Sequence, residues 1–318
     1  MDFSLNKIAI ICPYFGTFPN NIELTFRSMA KNNWIDWLIF TDNENYVGVY
    51  DNIFIISYTF ANMQELVMSK IGTTLLYPYK ICDYKPTFGF LFEEYLKEYD
   101  FWGYCDLDVI FGNLKIVLSD NNLNQYDKIL DQGHLSIYRN IKEINMAFMG
   151  SASVPVNYKR ILNSIAIEVF DETYDANHRG INGILEDMGF SVYLNRGLYA
   201  DLNKLRKNFY PLCLPEFNFY YLKYDHGNLY VKKLNQESFS YEVAYAHYQQ
   251  KKNLPIYCND YNCYCSVPKG FFNCDLVDDD CFYHGLDYRP LLNFKIVTKR
   301  RILKIKELVR LTKQIVFK

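Results

Sequence analysis

The chain has 318 residues, and 50% of them are hydrophobic, which is enough apolar material for one large domain with appendages. Its formal net charge of −2 provides no overall attraction to nucleic acid, so nucleic acid is excluded as a predicted partner. An odd number of cysteines, the lack of a signal-peptide pattern and the lack of a long apolar run together predict a cytoplasmic protein with reduced thiols.

The first part of the chain alternates short apolar strands with helices. Residues 7–16 predict a buried strand and the loop after it, 22–31 a helix, 36–40 a second strand and 53–57 a third. This alternation predicts an α/β fold with a mostly parallel central sheet. Ligands bind beyond the carboxyl ends of such strands, so Tyr14 and Asp42 are candidate binding residues. Asp42 would contact a ribose or base, and the alternative is a turn aspartate.

Two aspartates follow a buried strand in the next stretch. Residues 86–98 predict a helix that begins at Pro86, and 101–105 predict a strand that leads directly into Asp106 and Asp108. Charges rarely lie against so much apolar sequence without compensation, and a divalent cation such as Mn²⁺ or Mg²⁺ would supply it. The alternative is a pair of turn-capping residues. A second Asp-x-Asp, at Asp278 and Asp280, lies in a polar stretch and predicts a solvated loop.

The remaining elements are shorter. Residues 133–138 predict a strand, 157–169 a helix, 180–188 a helix and 190–194 a strand, and two short strands are predicted at 229–234 and 243–247. No repeat or long linker interrupts them, so we predict one catalytic domain over residues 1–294. Five late cysteines have irregular spacing without a C-x-x-C pair, and we therefore do not predict a structural zinc site.

The last segment, residues 295–318, differs in charge. It contains nine basic residues and one acidic residue, Glu307, which gives a net charge of +8. Apolar residues recur at helical spacing, at Ile302, Ile305, Leu308, Val309, Ile315 and Val316. The pattern predicts a basic amphipathic helix that binds an anionic membrane surface. The alternative is a helix packed on the domain with a basic outer face.

Four stretches make the chain resemble a family of bacterial polysaccharide-cluster glycosyltransferases, many of which are known only as domains of unknown function. They are YKICDYKPTFG, YDFWGYCDLDVIFG, GHLSIYRN and AYAHYQQKK, within residues 7–252. The resemblance implies a GT-A-like, Rossmann-like fold, a nucleotide-diphosphate sugar donor, a metal site at the Asp-x-Asp motif and a carbohydrate acceptor.

The resemblance also suggests further metal and donor contacts. It implies that His247 completes the metal site, and the alternative is a buried, hydrogen-bonded histidine. Lys251, with Lys252 beside it, would meet diphosphate oxygens unless the two are a solvated surface pair. Lys80 and Asp83 would contact the nucleotide or donor sugar, and Asp83 is alternatively a helix N-cap.

The acceptor side rests on an acidic pair. Asp171 and Glu172 are candidates for the base that deprotonates the attacking hydroxyl, and the alternative is two acidic residues between helices. His134 and His178 are further candidates with weaker reasons.

We therefore predict a metal-dependent glycosyltransferase that uses a UDP-sugar in surface polysaccharide synthesis. It would sit on the inner face of the cell membrane and act on a glycan or lipid-linked glycan. One alternative is a metal-dependent nucleotidyl- or phosphotransferase, although no P-loop or kinase signature is present. The other is a non-catalytic glycan-binding or scaffold protein, against which Asp106, Asp108 and His247 argue.

Overall fold

The computed structural model describes residues 6–43, 50–173, 178–215, 218–251 and 253–316. Its centre is a seven-stranded sheet with the order β3-β2-β1-β4-β7-β6-β8. These strands are β1 (Ile8–Tyr14), β2 (Ile35–Thr41), β3 (Ile53–Ser57), β4 (Phe101–Cys105), β6 (Lys128–Gln132), β7 (Leu135–Arg139) and β8 (Val192–Tyr193).

Most neighbours in this sheet are parallel. Strands β3, β2, β1 and β4 run in the same direction, β7 is antiparallel to both of its neighbours, and β8 is parallel to β6. The order 3-2-1-4 of the first four strands matches the start of the Rossmann order 3-2-1-4-5-6. The predicted α/β fold with a mostly parallel, Rossmann-like sheet is therefore confirmed.

The sheet is covered on both faces. Alternate side chains of β1 enter two cores, with Ile10 packed in the core that includes Phe26 of α1 (Ile22–Lys31). Ile11 packs in the other core, with Met63 of α2 (Phe60–Ile71). A parallel strand buried on both faces reads as a continuous apolar run, which is why β1 was predictable. Helix α2, which we did not predict, ends at Gly72 in the left-handed conformation (φ 71°).

The other helices are α3 (Phe88–Leu91), α4 (Asp120–Gln125), α5 (Lys142–Asn145), α6 (Tyr158–Asn163), α7 (Gly180–Asp187) and α8 (Pro290–Val316). The predicted helix over residues 86–98 is wrong. The chain forms a 3₁₀ segment from Pro78 to Thr87, the single turn of α3 and a second 3₁₀ turn. Pro86 lies inside this 3₁₀ segment instead of at the first turn of a helix.

The helix predicted over residues 157–169 is also too long, because α6 ends at Asn163. Beyond it, a buried ion pair takes the backbone groups that a helix would use. Lys80 Nζ donates to the carbonyls of Ile161 and Ala166, and the Asp83 carboxylate accepts from the amides of Glu168 and Phe170. These long-range bonds replace the helical ones.

Two smaller sheets complete the fold. An antiparallel sheet contains β12 (Gln236–Val243), β11 (Asn228–Lys233), β10 (Tyr220–Asp225), β14 (Cys263–Val267) and β15 (Gly270–Phe272), in that order. A three-stranded sheet joins β5 (Val109–Phe111), β13 (Tyr245–His247) and β9 (Ala200–Asp201). In this small sheet His247 pairs with Val109 on one side and with Asp201 on the other. That register carries His247 to the residues that follow β4.

Helix α8 begins at Pro290 rather than at the predicted Lys295. The Glu307 carboxylate accepts a hydrogen bond from the backbone N–H of Ile165, and this contact ties the helix to the rest of the chain. Among the helices that the structure describes, none is both long enough and apolar enough to cross a membrane.

Candidate functional site

Two aspartates and a histidine converge beyond the carboxyl end of β4. Asp106 and Asp108 lie between β4 and β5, and His247 ends β13. One ligand atom from each of the three residues lies within 4.8 Å of the others. His247 Nε2 is 3.5 Å from Asp108 Oδ1. Asp106 precedes His247 by 141 positions in the sequence, and Asp108 precedes it by 139. The three side chains meet because β5 and β13 pair.

Asp201 orients the histidine ring. His247 Nδ1 is 2.9 Å from Asp201 Oδ1, and this contact leaves Nε2 facing Asp108. A carboxylate on the far nitrogen of a histidine ligand is the usual support of a metal-binding imidazole. We did not single out Asp201 from the sequence. It has no local motif, and its pairing with His247 arises from the β9–β13 register.

The site attracts positive charge. Burial lowers the pKa of His247, but hydrogen bonds to Asp108 and Asp201 outweigh burial and raise it to about 10. The imidazole is therefore protonated on both nitrogens and positively charged, between two carboxylates, when no other cation is bound. Two carboxylates and an imidazole are also suitable ligands for Mn²⁺ or Mg²⁺. The residues present thus fit a divalent cation, which would replace that proton.

His134 lies beside this group. Its ring centroid is 4.4 Å from that of His247, and with Asp201 and His247 it forms a second possible ligand group within 4.8 Å. Neither ring nitrogen of His134 has a hydrogen-bond partner. Burial lowers the pKa of His134 to about 3, so the ring is neutral. The structure therefore brings one of the two weaker histidine candidates into the site. The other, His178, is exposed and contacts the carbonyl of Glu168.

A buried lysine connects the aspartates to the predicted acidic pair. Lys85 Nζ donates to Asp106 Oδ1 (2.7 Å) and to the carbonyl of Gly133 (2.7 Å), and it lies 3.6 Å from Asp171 Oδ2. Burial lowers the pKa of Lys85, but the charges of Asp106 and Asp171 and the hydrogen bond to Asp106 act together against burial, and the pKa stays well above its ordinary value. Lys85 is therefore a fixed positive charge at the site. The motif YKICDYKP contains it, but sequence reasoning selected Lys80 from that motif instead.

Asp171 and Glu172 pack around Gly133. Glu172 Oε1 accepts a hydrogen bond from the Gly133 amide, and a Cβ atom at Gly133 would lie 2.5 Å from Asp171 Oδ2 and 2.6 Å from Glu172 Oε1. Only glycine fits such a close approach. Asp171 is buried and Glu172 is partly exposed. Burial raises the pKa of both carboxyls. Lys85 thus links the predicted acidic pair to Asp106, because it contacts both Asp171 and Asp106.

Lys80 and Asp83 need a correction. Both side chains are 0% exposed, and Lys80 Nζ is 2.6 Å from Asp83 Oδ2. All of their described partners are carbonyls and amides of the chain itself or each other. A side chain in this position cannot contact a bound donor. The predicted donor role is replaced by a structural one, because the ion pair organises the backbone after α6. The N-cap alternative for Asp83 is also wrong, since Asp83 lies within the 3₁₀ segment.

Tyr14 and Asp42 lie at the predicted edge of the sheet, where Tyr14 pairs with Thr41. Burial raises the pKa of Tyr14, and the charges of Asp108 and Asp106 raise it further. Asp42 is exposed and accepts a hydrogen bond from the Gly16 amide at 2.8 Å. It therefore holds the loop after β1, and its contact with a ribose or base stays a prediction.

Lys251 is not a free surface cation. It is buried, and its Nζ donates to the carbonyl of Asn203 at 2.7 Å. Burial lowers its pKa to about 8. The alternative that Lys251 belongs to a solvated surface pair is therefore wrong, and its contact with diphosphate oxygens stays a prediction. Lys252 lies outside the described residues. Asp278 and Asp280 are exposed, as predicted for a solvated loop.

Comparison with known proteins gives a match to a family and a similarity to solved structures. The sequence model of the Family of unknown function (DUF6625) matches residues 10–275. Among solved structures, the galactosyltransferase LgtC in complex with donor and acceptor sugar analogs is similar, with 12% sequence identity and a TM-score of 0.34. That match covers 61% of this chain and 75% of the LgtC chain. No curated protein matches the chain.

Proposed function

We propose that this chain, which belongs to the Family of unknown function (DUF6625), is a metal-dependent glycosyltransferase that passes a sugar from a UDP-sugar to a glycan acceptor in surface polysaccharide synthesis. The observation that carries the proposal is the convergence of Asp106, Asp108 and His247 beyond the end of β4. This is the edge at which an open α/β sheet binds its ligands.

The donor side is organised around these three residues. They would hold Mn²⁺ or Mg²⁺, which neutralises the charge of a leaving diphosphate. Asp201 keeps Nε2 of His247 directed toward Asp108. Lys85 keeps the Asp106 carboxylate in place and adds a positive charge within the same network. Such preorganisation requires little rearrangement during the reaction.

On the acceptor side, Glu172 is the better candidate for the base. Asp171 is buried and interacts with Lys85, whereas Glu172 is partly exposed. Burial raises the pKa of Glu172, and a raised pKa makes a carboxylate a stronger proton acceptor. In this proposal Glu172 takes the proton from the acceptor hydroxyl, and Asp171 positions Lys85.

The test is release of UDP from a panel of UDP-sugars by the full chain with Mn²⁺, with and without glycan acceptors. The wild-type chain should release UDP, and Asp108→Asn should reduce the rate at least about 100-fold because one charged ligand is lost. The matched control is Asp280→Asn in the exposed second Asp-x-Asp, which should behave as wild type.

The alternatives give different products. A nucleotidyl- or phosphotransferase would release UMP or a sugar phosphate instead of UDP. A non-catalytic glycan-binding protein would bind the donor or the glycan but release no UDP. Wild-type rates of UDP release by Asp108→Asn in the presence of EDTA would refute the metal-dependent reaction.

We also propose that α8 binds the cytoplasmic face of an anionic membrane, where a lipid-linked acceptor would lie. Apolar side chains on α8 are highly exposed, including Leu291 (76%), Phe294 (70%) and Ile305 (60%). These three residues have spacings that place them near one face of a helix. A helix whose outer face was purely basic would not expose them, so this observation favours the membrane alternative. Its basic residues would add about 1 kcal/mol each near anionic lipid.

Deletion of residues 299–318 tests the membrane proposal. The truncated chain should lose binding to vesicles that contain phosphatidylglycerol and keep hydrolysis of a soluble donor. Binding of the full chain should weaken as salt rises, because screening shortens the reach of the charges. Failure of the full chain to bind such vesicles at low salt would mean that α8 is a structural helix.

A further inference from the structure

Three cysteines meet on one face of the five-stranded sheet. Cys263 and Cys265 are alternate residues of β14, so their side chains point to the same face. Cys265 pairs with Lys223 of β10, and Cys263 pairs with Asp225. Cys274 follows β15, two residues after Phe272, which is the register partner of Cys265. Cys274 begins the 3₁₀ turn that follows β15.

The sulfur atoms are in contact. Cys265 Sγ is 3.2 Å from Cys274 Sγ, and Cys263 Sγ is 3.8 Å from the same atom. Cys274 is therefore shared by two neighbouring thiols. All three are free thiols, with Cys265 buried and the other two partly exposed. A small solute can reach Cys274 from outside, whereas Cys265 faces it from within.

The surroundings also favour a thiolate at Cys274. The hydrogen bond from Cys265 lowers the pKa of Cys274, burial opposes it, and Cys263 and Lys223 lower the pKa further, to about 7. The pKa of Cys263 is raised to about 11, first by burial and then by Cys274. Cys274 is thus the most acidic of the three thiols, and the thiolate is the reactive form of cysteine.

The arrangement suits a dithiol better than a metal ion. In the described part of the chain, two sets of three potential metal ligands have all their ligand atoms within 4.8 Å of one another, and neither set contains a cysteine. A thiolate metal site needs all of its sulfurs at one centre. A disulfide needs only two, and closing Cys265 and Cys274 to a bond of about 2.05 Å requires the sulfurs to approach by about 1.2 Å.

We propose that Cys274 and Cys265 form a thiol–disulfide centre that reacts with small disulfides of the glutathione class. The Cys274 thiolate attacks one sulfur of oxidised glutathione, forms a mixed disulfide and releases one glutathione thiolate. Cys265 then loses its proton and attacks the Cys274 sulfur, which forms the protein disulfide and releases the second glutathione. Two protein thiols are oxidised, and one glutathione disulfide is reduced to two thiols.

The test uses the full chain, reduced and then exposed to glutathione buffers of increasing oxidised fraction. Acid quenching, alkylation of free thiols and peptide mass spectrometry report each cysteine. We expect a disulfide-linked peptide that joins Cys265 to Cys274. Cys274→Ser should abolish it, and Cys265→Ser combined with Cys263→Ser should accumulate glutathione on Cys274, because both neighbouring thiols are then removed. The matched control is Cys213→Ser, which removes an exposed thiol and should leave the disulfide unchanged.

Reaction rates provide a second readout that needs no variant. At neutral pH, Cys274 should be alkylated about tenfold faster than Cys213, because its larger thiolate fraction outweighs the lower nucleophilicity of a more acidic thiol. Faster alkylation of Cys213, or a Cys265 disulfide that persists in Cys274→Ser, would overturn the proposal. Zinc that survives dialysis in the wild type and is lost in Cys274→Ser would overturn it in favour of a metal site.

Discussion

Replacing Asp201 by asparagine should weaken metal binding without removing a predicted ligand. Asparagine keeps the size of the side chain but removes the negative charge that faces His247 Nδ1 at 2.9 Å. The ring is then less strongly held with Nε2 toward Asp108. Loss of such an outer partner costs about 10–100-fold in metal affinity, or about 1.4–2.8 kcal/mol.

The pKa of Asp201 gives an independent magnitude. Burial raises it, but the hydrogen bond to His247 and the positive charge of His247 lower it from 3.8 to about 2. A pKa lowered from 3.8 to about 2 corresponds to about 2 kcal/mol of stability. Because the folded-state pKa is depressed, this stability is present above pH 3.8 and is lost as the pH falls toward about 2. At neutral pH, Asp201→Asn should therefore lower the free energy of unfolding by about 2 kcal/mol.

Titration calorimetry with Mn²⁺ measures the affinity, and urea unfolding at neutral pH measures the stability. The control is Asp225→Asn, which breaks another Asp–His contact, between Asp225 and His226 at 2.8 Å, on an exposed turn. It should leave Mn²⁺ binding unchanged. Wild-type affinity in Asp201→Asn together with lost affinity in Asp108→Asn would refute the orienting role of Asp201. Unchanged affinity in both variants would refute the metal site itself.

Three further predictions concern buried groups near the site. Lys85→Met should lower the free energy of unfolding by about 3 kcal/mol, because Asp106 and Asp171 lose their buried counter-charge. The control is Lys97→Met, which breaks an exposed ion pair and should not change the urea midpoint. Equal midpoints would contradict this. Gly133→Ala should cost about 1–3 kcal/mol and slow transfer, because its Cβ would strike both acidic side chains; wild-type stability and rate would argue against this packing. Burial lowers the pKa of Lys128 to about 7. Between pH 7 and 10.5 the unfolded state therefore binds more protons than the folded state. The free energy of unfolding of the wild type should rise with pH in this range, relative to that of Lys128→Met. Parallel pH profiles of the two proteins would exclude a lowered pKa.

Much of the central sheet was predictable because its signals are local. β1, α1, β3 and β4 follow from apolar runs and their flanking residues, and the observed bounds agree with the predicted ones to within about two residues. The position of Asp106 and Asp108 directly after a buried strand was also visible in the chain. The predictions failed where a distant group intervened. Helix α6 stops early because the Lys80–Asp83 pair bonds its last turn and the backbone that follows it.

The amino-acid sequence by itself determined which strands are buried and that Asp106 and Asp108 follow one of them at the edge of the sheet. These features depend on residues that are neighbours in the chain. Only the tertiary structure decided which lysine serves the site. Lys80 and Lys85 lie in one motif, yet Lys80 pairs with Asp83 in the interior while Lys85 reaches Asp106. The same holds for Asp201 and His247, which are joined by the register of two strands. The partner of each charged residue depends on which distant segments pack against it. The local spacing of residues in the sequence does not specify that packing.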